Sequence, residues 1–343
     1  RLGPGVCYRL WSAEQQDRLD EQSPPDIRVV ELSNLLLEAA LWGCEPEGLP
    51  LLELPPAANL LAGRRLLQQL EALDDQHHLT PRGRLMARLP CHPRLAHLLL
   101  CAADLEQDGL DGVLDEACYL VALLEERVPG NDPISVQLTR FASSLRPAAQ
   151  RWWQRLHGEG MMSALSVIHT DILAALAWPD RIARQSSELR YQLANGQRAD
   201  LIADHPCQGK EWLVGISLQQ TDYGLRIFTA EPLDIEALAQ IEPTLFREET
   251  FLGWDSKEER VRAEKQRCLG SIVLKRQPLI SLTAEQKAQC LLEGIRQHGL
   301  SCLPWDAESE QWLQRWRCGA EWLPELGLPA VDNVSLLAEL ETW

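Results

Sequence analysis

Two stretches of this 343-residue chain concentrate basic side chains at spacings that suit phosphate binding. In residues 132–158 the only acid is Asp132, at the edge of the stretch. The bases there are Arg140, Arg146, Arg151 and Arg155. Arg151 and Arg155 are one helical turn apart on one face, next to two tryptophans. Guanidinium groups arranged along one face of an element can contact successive phosphates of a nucleic-acid backbone.

The second stretch, residues 256–276, carries seven bases against three acids. The bases are Lys257, Arg260, Arg262, Lys265, Arg267, Lys275 and Arg276. If this stretch is a strand, Lys265 and Arg267 share a face, because side chains alternate along a strand. The alternative is a solvated surface whose charges neutralise one another. Two basic stretches in a chain with a formal net charge of −17 favour a defined nucleic-acid path over a generally adhesive surface.

Sequence motifs for nucleotide hydrolysis and metal catalysis are not found in the chain. It contains no GxxxxGKS/T loop, no nucleophile elbow and no HExxH pair. His97 and Cys101 would share a helix face, with Cys91 and His92 nearby. They lie in a leucine-rich segment without a properly spaced fourth ligand, so we interpret them as core residues and expect no metal site.

The ten cysteines occur singly, with no CxxC pair, which is not the pattern of a disulfide framework. Single cysteines in apolar segments are typical of a reducing compartment, and we expect a cytoplasmic protein. A membrane-spanning helix needs an apolar run of about 18 residues or more. The sequence has no such run, so we expect no membrane span.

The first residues predict a strand without a sheet. Residues 1–5 read RLGPG, a turn, and residues 6–11, VCYRLW, are rich in strand-forming types. Ser12 suits the N-cap of a helix. A single strand cannot satisfy its own backbone groups, and the residues that follow are helical in pattern. We therefore expect residues 1–20 to be the remnant of a domain that the chain does not contain.

The next two regions are helical in period. Residues 21–92 predict three short helices, the last capped by Thr80, and an extended piece at 77–79, a pattern suited to a winged helix. Residues 93–186 predict a helical bundle. Its expected helices are 93–105, 112–126, 133–145, 147–157 and 163–177. Pro147 separates the third of these helices from the fourth, because a proline inside a helix breaks it.

The hydrophobic pattern changes from helical to strand period at about residue 187 and returns to helical period at about residue 281. Residues 187–280 predict short strands around turns at 194–196 and 221–224, with one inserted helix at 234–240, and so a small closed barrel. Residues 281–343 predict a helical extension that starts at Thr283. We expect its tryptophans to be buried anchors that dock it on the rest: Trp305, Trp312, Trp316, Trp322 and Trp343. The predicted fold class is mainly α with a small β-barrel.

This order of parts resembles the C-terminal half of the DEAH-box helicases, and local sequences agree over the whole chain. RLGPGVCYRLWS at 1–12 resembles the end of helicase motif VI and the last strand of the second RecA-like domain. LTPRGRLMARLPCHPRL at 79–95 resembles the junction between winged helix and ratchet bundle. Five further motifs resemble one bacterial branch: WPDRIA at 178–183, RYQLANG at 190–196, DYGLRIFTAEP at 222–232, LLEGIR at 291–296 and LPW at 303–305.

The resemblance implies a ratchet-like bundle and an OB-like barrel that guide single-stranded RNA or DNA during ATP-driven unwinding. Arg1 resembles the last arginine of motif VI, a catalytic residue in the family, while the other ATP-site motifs would lie upstream. The fragment alone is therefore expected to be inactive and to bind no cofactor, whereas its parent would bind ATP and Mg. Its second partner would be the RecA-like domains of the same parent chain.

Arg181 and Arg190 lie within the resembling motifs and complete the set of candidates for nucleic-acid binding. The full set is Arg140, Arg151, Arg155, Arg181, Arg190, Lys265, Arg267, Lys275 and Arg276. An alternative hypothesis is a protein-interaction or regulatory module whose acidic, tryptophan-rich extension docks a partner. RNA binding that weakens with salt would favour the first hypothesis, and a partner lost on deletion of 281–343 with retained folding would favour the second.

Overall fold

The computed structural model describes residues 3–18, 25–126, 130–255, 260–279, 283–300, 303, 305–329 and 331–338. Its helices are α1 Ala13–Asp17, α2 Asp26–Val29, α3 Ser33–Trp42, α4 Ala57–Gln69, α5 Pro81–Met86, α6 Pro93–Gln107, α7 Val113–Glu126, α8 Ile134–His157, α9 Thr170–Ala177, α10 Ile235–Ile241, α11 Ala284–His298, α12 Ala307–Trp322 and α13 Asn333–Ala338. Its strands are β1 Ile182–Gln185, β2 Arg190–Leu193, β3 Arg198–Leu201, β4 Trp212–Thr221, β5 Gly224–Pro232, β6 Phe246–Asp255, β7 Arg260–Leu269 and β8 Ile272–Pro278. Among these residues, none of the helices combines the length and the apolar character that a bilayer crossing requires.

The N-terminal segment belongs to no sheet among the described residues, as expected for residues 6–11, although these residues do not form the strand that their types predict. None of the described strands pairs with it, and its backbone groups are left to solvent. Its apolar side chains are exposed as well, Val6 at 81% and Leu10 at 94%. Ser12 does cap α1, because its hydroxyl accepts from the Gln15 amide and the Gln15 side chain accepts from the Ser12 amide.

The region from α3 to α5 has the winged-helix arrangement that its pattern predicts. Leu36, Leu67 and Met86 form its core, and Leu73 and Leu79 make a short antiparallel bridge before α5. Thr80 caps α5 by accepting from the Gly83 amide at 2.9 Å. The Thr80 cap thus forms as its neighbouring residues predict. The leucines on one side of α4 form the face of that helix that packs into the core.

The helical bundle, α6 to α9, differs from its prediction at two places. Helix α8 runs unbroken through Pro147. A proline forfeits one hydrogen bond, but the buried Leu145 and Ala149 on either side keep the helix packed in the bundle. Helix α9 starts at Thr170 and not at 163, because the buried Glu116 carboxylate accepts from the amides of Ile168 and His169 just before it.

Strands β1 to β5 close into a barrel in the order β1-β2-β3-β5-β4. All pairs are antiparallel except β3 with β5. Inward-facing Tyr191, Leu193, Leu213 and Ile227 fill the interior. Irregular register in β4 between 215 and 218 bends that long strand around the barrel. The turns at 194–196 and 221–224 are where the sequence predicts them.

Strands β6 to β8 form a separate three-stranded sheet of order β6-β7-β8, which corrects the prediction that they belong to the barrel. The sheet touches the barrel at its β7–β8 turn. There Ser271 donates its amide to Ala194 O at 2.8 Å and its hydroxyl to Leu193 O at 3.1 Å. A Cβ on Gly270 would stand 2.3 Å from Ala194 O, so only glycine allows this approach. Lys265 and Arg267 therefore lie outside the barrel.

The C-terminal extension begins with a capping box between Thr283 and Gln286, as predicted for the start of α11. Its small core gathers Ile295, Leu300 and partly buried Trp305. The expectation of buried tryptophan anchors is wrong for Trp312 and Trp322, which are 58% and 74% exposed. Helix α12 buries none of its residues, because its neighbours are other parts of the extension and not the barrel or bundle.

Candidate nucleic-acid interface

A cleft of about 710 Å³ opens between the helical bundle and the barrel. The ends of α6, α7 and α8 form one wall with His92, Leu95, Leu123, Leu124, Gly130, Asn131, Ile134 and Gln137. Strands β4 and β5 form the other wall with Ile216, Ser217, Leu218, Gln219, Phe228 and Thr229. Glu31, Arg94, Trp178 and Arg181 complete the lining. The cleft thus combines aromatic rings for stacking with amides and hydroxyls for hydrogen bonds.

A buried ion network borders the cleft around Arg94, whose side chain is 4% exposed. Arg94 donates to both Asp180 oxygens, at 2.6 and 3.0 Å, and to Glu31 Oε2 at 3.1 Å. A further bond reaches Ala177 O at 3.2 Å. Burial acts to lower the pKa of Arg94, but the charges and hydrogen bonds of Asp180 and Glu31 raise it overall.

Glu31 connects this network to the winged-helix region, because it directly precedes α3. Burial would raise the pKa of its carboxyl, but a hydrogen bond from His92 and the charge of Arg94 lower it far below the usual range. Ser33 also donates to Glu31, at 2.8 Å. One carboxylate therefore ties the winged helix to the first turn of α6.

Arg181 is the predicted site residue that lines this cleft. Its Nη1 donates to Ile216 O of β4 at 3.0 Å, and its Nη2 donates to Glu31 at 3.4 Å. Burial and then the charge of Arg94 lower its pKa, while Asp180 and Glu31 raise it. Two cations and two carboxylates make the network neutral, so Arg181 fastens the barrel to the bundle and adds little free positive charge to the cleft.

Arg140, Arg151 and Arg155 lie on one side of α8, within about 60° of one another by helical geometry. Arg140 pairs with Asp132 at 2.6 Å. Arg151 is exposed and has no ion-pair partner within the described part of the chain. The Arg155 guanidinium lies 5.4 Å from the centre of the Trp152 ring. Gln137 of the cleft is on the same side of the helix as Arg155, so this row of arginines leads away from the cleft over about 27 Å.

Arg155, at the far end of this row, acts on Cys91 through its charge. Burial and then the charge of Glu125 raise the pKa of the Cys91 thiol to about 12, while the charge of Arg155 opposes them. Cys91 directly precedes His92 of the cleft wall. The row on α8 and the cleft are therefore neighbours, although only Gln137 belongs to both.

Arg190 is not part of this constellation. It donates to both oxygens of Asp200, at 2.9 and 3.3 Å, across the β2–β3 pair. The hydrogen bond and charge of Arg190 lower the pKa of Asp200 although burial opposes this. The alternative of a self-neutralised solvated surface therefore describes this residue better than a phosphate contact.

The remaining basic candidates lie on the β6-β7-β8 sheet. Lys265 and Arg267 share a face with Lys275, which pairs with Arg267, whereas Arg276 points to the opposite face. Arg1, the predicted catalytic arginine, lies outside the described residues. The structure thus places the described candidates in a cleft, a helical row and a sheet face, and leaves Arg190 and Arg276 apart from these groups.

His97 lies in a closely packed group of side chains with Cys101 and Arg82. Cys101 Sγ lies 3.3 Å from His97 Nε2 and accepts from Arg82 at 2.9 Å. Burial lowers the pKa of His97 to about 4 and raises that of Cys101 to about 11, so both stay neutral near pH 7. Within the described ranges no three histidine, cysteine or acidic side chains come together as metal ligands.

Sequence reasoning missed the residues that build the cleft, above all Glu31, Arg94 and Asp180. A signal was available for two of them. Arg94 and Asp180 both lie inside the motifs that resemble the helicase family, and Arg94 is a charged residue at the start of a strongly apolar helix. The contact between Arg94 and Asp180 could not be predicted from the sequence, since 86 positions separate the two residues.

Two family models match the chain. "Helicase associated domain (HA2), winged-helix" matches residues 64–91, which hold the second half of α4 and all of α5. "ATP-dependent RNA helicase HrpB, connector region" matches residues 245–279, which hold the separate β6-β7-β8 sheet. Both models thus describe accessory parts of helicases, and they match the winged-helix region and the separate sheet of this chain.

Along its whole length the chain is similar to an HrpB helicase. It is 39% identical over 348 residues to ATP-dependent RNA helicase HrpB of Escherichia coli (strain K12), covering 100% of this chain and 42% of the relative. ATP-dependent RNA helicase HrpA of the same organism is 31% identical over 143 residues, 40% of this chain and 10% of that relative.

The solved structures agree with the sequence comparisons. The chain matches the crystal structure of the E. coli DExH-box NTPase HrpB with a TM-score of 0.68 and 38% identity, over 100% of this chain and 42% of that one. A second E. coli structure, described as a DEAH/RHA helicase HrpB, matches with a TM-score of 0.67 and 37% identity, over 97% of this chain and 41% of that one. The chain therefore spans less than half the length of the relatives it matches.

Proposed function

We propose that this chain is the accessory C-terminal region of an ATP-dependent RNA helicase and that its cleft guides single-stranded RNA during unwinding. In this proposal the bundle acts as the ratchet and the barrel as an OB-like domain. The observation that carries it is the cleft of about 710 Å³, whose two walls come from different domains. A strand held there would feel any movement of the bundle against the barrel.

The chemistry of the walls suits a single strand better than a duplex. The half-buried Phe228 offers an aromatic ring, and Asn131, Gln137 and Gln219 offer amide groups. Unpaired bases stack on aromatic rings and expose their edges to such amides. The neutral ion network leaves the phosphates to basic residues outside the cleft, such as Arg140, Arg151 and Arg155 on α8.

ATP and Mg would act elsewhere in the complete protein. The sequence has no phosphate-binding GxxxxGKS/T loop, and the residues that the structure describes hold no carboxylate cluster for a metal ion. The residues present therefore do not fit the nucleotide. RecA-like domains of the same protein would supply that site, and Arg1 would complete it as the motif VI arginine.

The test places a negative charge in the cleft. Gln219 is an exposed residue of β4 that lines it, and Gln220 follows on the other face of the same strand. We expect Gln219→Glu to weaken binding of a fluorescent oligouridylate several-fold in anisotropy titrations, because the new carboxylate repels phosphate. The matched control Gln220→Glu adds the same charge and should leave affinity unchanged.

Two outcomes would contradict the proposal. The first is equal weakening by both variants, which would mean that only net charge matters. The second is an unmodified chain that does not bind the oligonucleotide even at low salt. An oligothymidylate of the same length, titrated in parallel, distinguishes a preference for RNA from general single-strand binding.

A second candidate function is docking of a protein partner on the C-terminal extension. The observation that favours it is the exposure of Trp312 and Trp322 on α12. The acids Glu308, Glu310, Glu321 and Glu325 lie near them in the sequence, so the partner surface would be basic and apolar.

A synthetic amphipathic helix of leucine and lysine should blue-shift the tryptophan emission of the chain, and Trp312→Ser with Trp322→Ser should abolish the shift. An unchanged shift in this double variant would contradict docking at α12.

A further inference from the structure

We infer that the β6-β7-β8 sheet carries a second contact for single-stranded nucleic acid, on the face that presents Lys265, Arg267 and Lys275. This face is separate from the cleft, and the inference rests on the proposed function in that the same strand would reach both. Its ligand is the phosphodiester backbone. A free inorganic phosphate shares that chemistry and is an arm of the test.

The register of the sheet puts the three cations side by side. Lys265 and Arg267 are two residues apart on β7, and Arg267 is directly opposite Lys275 on β8. Directly opposed side chains of an antiparallel pair stand on one face about 5 Å apart, and residues two apart on a strand about 7 Å apart. The positive charges therefore form a compact row across two strands.

One acid faces these three cations among the described residues of the face. Glu248 on β6 is directly opposite Arg267, and its carboxylate contacts Lys265 Nζ at 2.5 Å. The hydrogen bond and charge of Lys265, followed by the charge of Arg267, lower the pKa of Glu248. Lys275 lies one strand further away, so an excess of positive charge remains beside it.

The opposite face of the sheet is balanced and partly covered. There Glu264, 9% exposed, accepts from Arg262 at 2.6 Å and from Gln266 at 3.1 Å. Cys268 on that face is buried. Arg276 opposes Gln266 and feels the Glu264 charge. The excess of positive charge thus belongs to one face, which a random scatter of surface bases would not produce.

The cations on the basic face are held where they can meet an anion together. The Arg267 guanidinium lies 5.0 Å from the centre of the Phe246 ring, which fixes its position. Like charges directly opposite each other on a sheet are destabilising, so Arg267 and Lys275 are relieved when an anion binds between them. Arg184 of the barrel donates to Val273 O at 3.5 Å and joins the sheet to the barrel beside this pair.

The experiment replaces Arg267 and Lys275 and compares this double variant with another that loses the same number of charges elsewhere on the sheet. Arg267→Gln with Lys275→Gln takes two charges from the basic face. Arg247→Gln with Arg276→Gln takes two exposed charges from the other face, since Arg247 pairs with Cys268. The full chain is titrated with a long oligouridylate over a range of salt concentrations. We expect the first pair to reduce the slope of log affinity against log salt by about 1.4, as two lost phosphate contacts to a single strand would.

The control pair should leave the slope unchanged. A second measurement uses the thermal midpoint without nucleic acid. The midpoint should rise in Arg267→Gln with Lys275→Gln, because the repulsion is gone, while the stabilisation conferred by oligouridylate should shrink. Since the thermal midpoint reports stability on its own, a change in nucleic-acid binding can be told apart from a change in stability.

Three results would overturn the inference. They are equal slopes for both pairs, an unchanged slope for the basic-face pair, and displacement of the oligouridylate by millimolar inorganic phosphate, which would show a site for a small anion only. The cleft is tested separately by Gln219→Glu. If the cleft does not bind RNA, that variant has no effect while the basic-face pair still changes the slope.

Discussion

Arg94 donates to both carboxylate oxygens of Asp180, at 2.6 and 3.0 Å, and each residue belongs to a different part of the fold. Arg94 starts the first helix of the bundle, and Asp180 lies in the short Pro179–Arg181 turn that enters the barrel. Because Glu31 shares the same guanidinium, three regions meet at one buried cation. The contact therefore joins the winged-helix region, the bundle and the barrel beside the cleft.

Replacing Arg94 by methionine should lower the free energy of unfolding by about 3–5 kcal/mol, because Asp180 and Glu31 are left buried without their cation. Urea denaturation measures the loss. The same substitution at Arg190 breaks the exposed pair with Asp200 and should cost far less, because solvent screens an exposed ion pair. Equal losses for the two variants would mean that the buried network contributes no more than a surface ion pair.

The sequence predicts well the features that depend on short-range bonds. The caps at Thr80 and Thr283 and the turns at Gly196 and Gly224 follow from neighbouring residues, and the structure has each of them. The pairing of Arg190 with Asp200 could also have been found. A hairpin turn at 195–196 fixes the register of its strands and places these two residues opposite each other.

Long-range choices could not be predicted in the same way. The alternation of β6 to β8 is the same whether a strand closes a barrel or pairs in a sheet of its own, so period alone could not separate the two. Pro147 shows a similar limit, since the buried contacts that keep α8 continuous come from elsewhere in the chain. Which arginines stay unpaired likewise depends on partners that only the tertiary fold supplies.

Replacing Glu116 by glutamine should destabilise the approach to the cleft. The Glu116 carboxylate is fully buried and accepts from the Ile168 and His169 amides and from the Thr170 hydroxyl. A glutamine turns an NH₂ donor toward these donors, which costs about 1–3 kcal/mol. Hydrogen exchange of the 163–170 segment should accelerate, whereas Glu126→Gln on the exposed end of the same helix should not change it. Unaltered exchange in Glu116→Gln would count against this anchoring role.

Stability should fall on mild acidification because of His97. Burial, and then the charge of Arg82, lower its pKa from 6.5 to about 4 in the folded protein. The unfolded state then binds more protons between these values, so the stabilisation is complete above about pH 6.5 and is lost as pH falls toward the folded pKa. One pKa unit corresponds to about 1.4 kcal/mol, so the complete loss in the free energy of unfolding is roughly 3 kcal/mol.

The check is the free energy of unfolding between about pH 5 and pH 7, a range that avoids the acidic loss expected from Glu31. Its carboxyl has a lowered pKa, so its contribution is present above the unfolded value and disappears only at lower pH. His97→Leu should flatten the profile, and His78→Gln, at an exposed position, should leave it as it is. A profile that keeps its slope without His97 would assign the effect to another group.

Gly83 sets how closely α5 approaches the chain that follows α4. A Cβ at this position would stand 2.2 Å from Ala72 O and 2.8 Å from Leu79 Cδ1, so Ala72 and the bridge around Leu79 would have to shift. Gly83→Ala should therefore lower the thermal midpoint of the winged-helix region, with a cost of about 1–3 kcal/mol from overpacking. Gly48→Ala is the matched control, because nothing lies within 4 Å of its Cβ and its φ is ordinary. If both alanines were tolerated equally, the close approach at Gly83 would not be what holds this bridge.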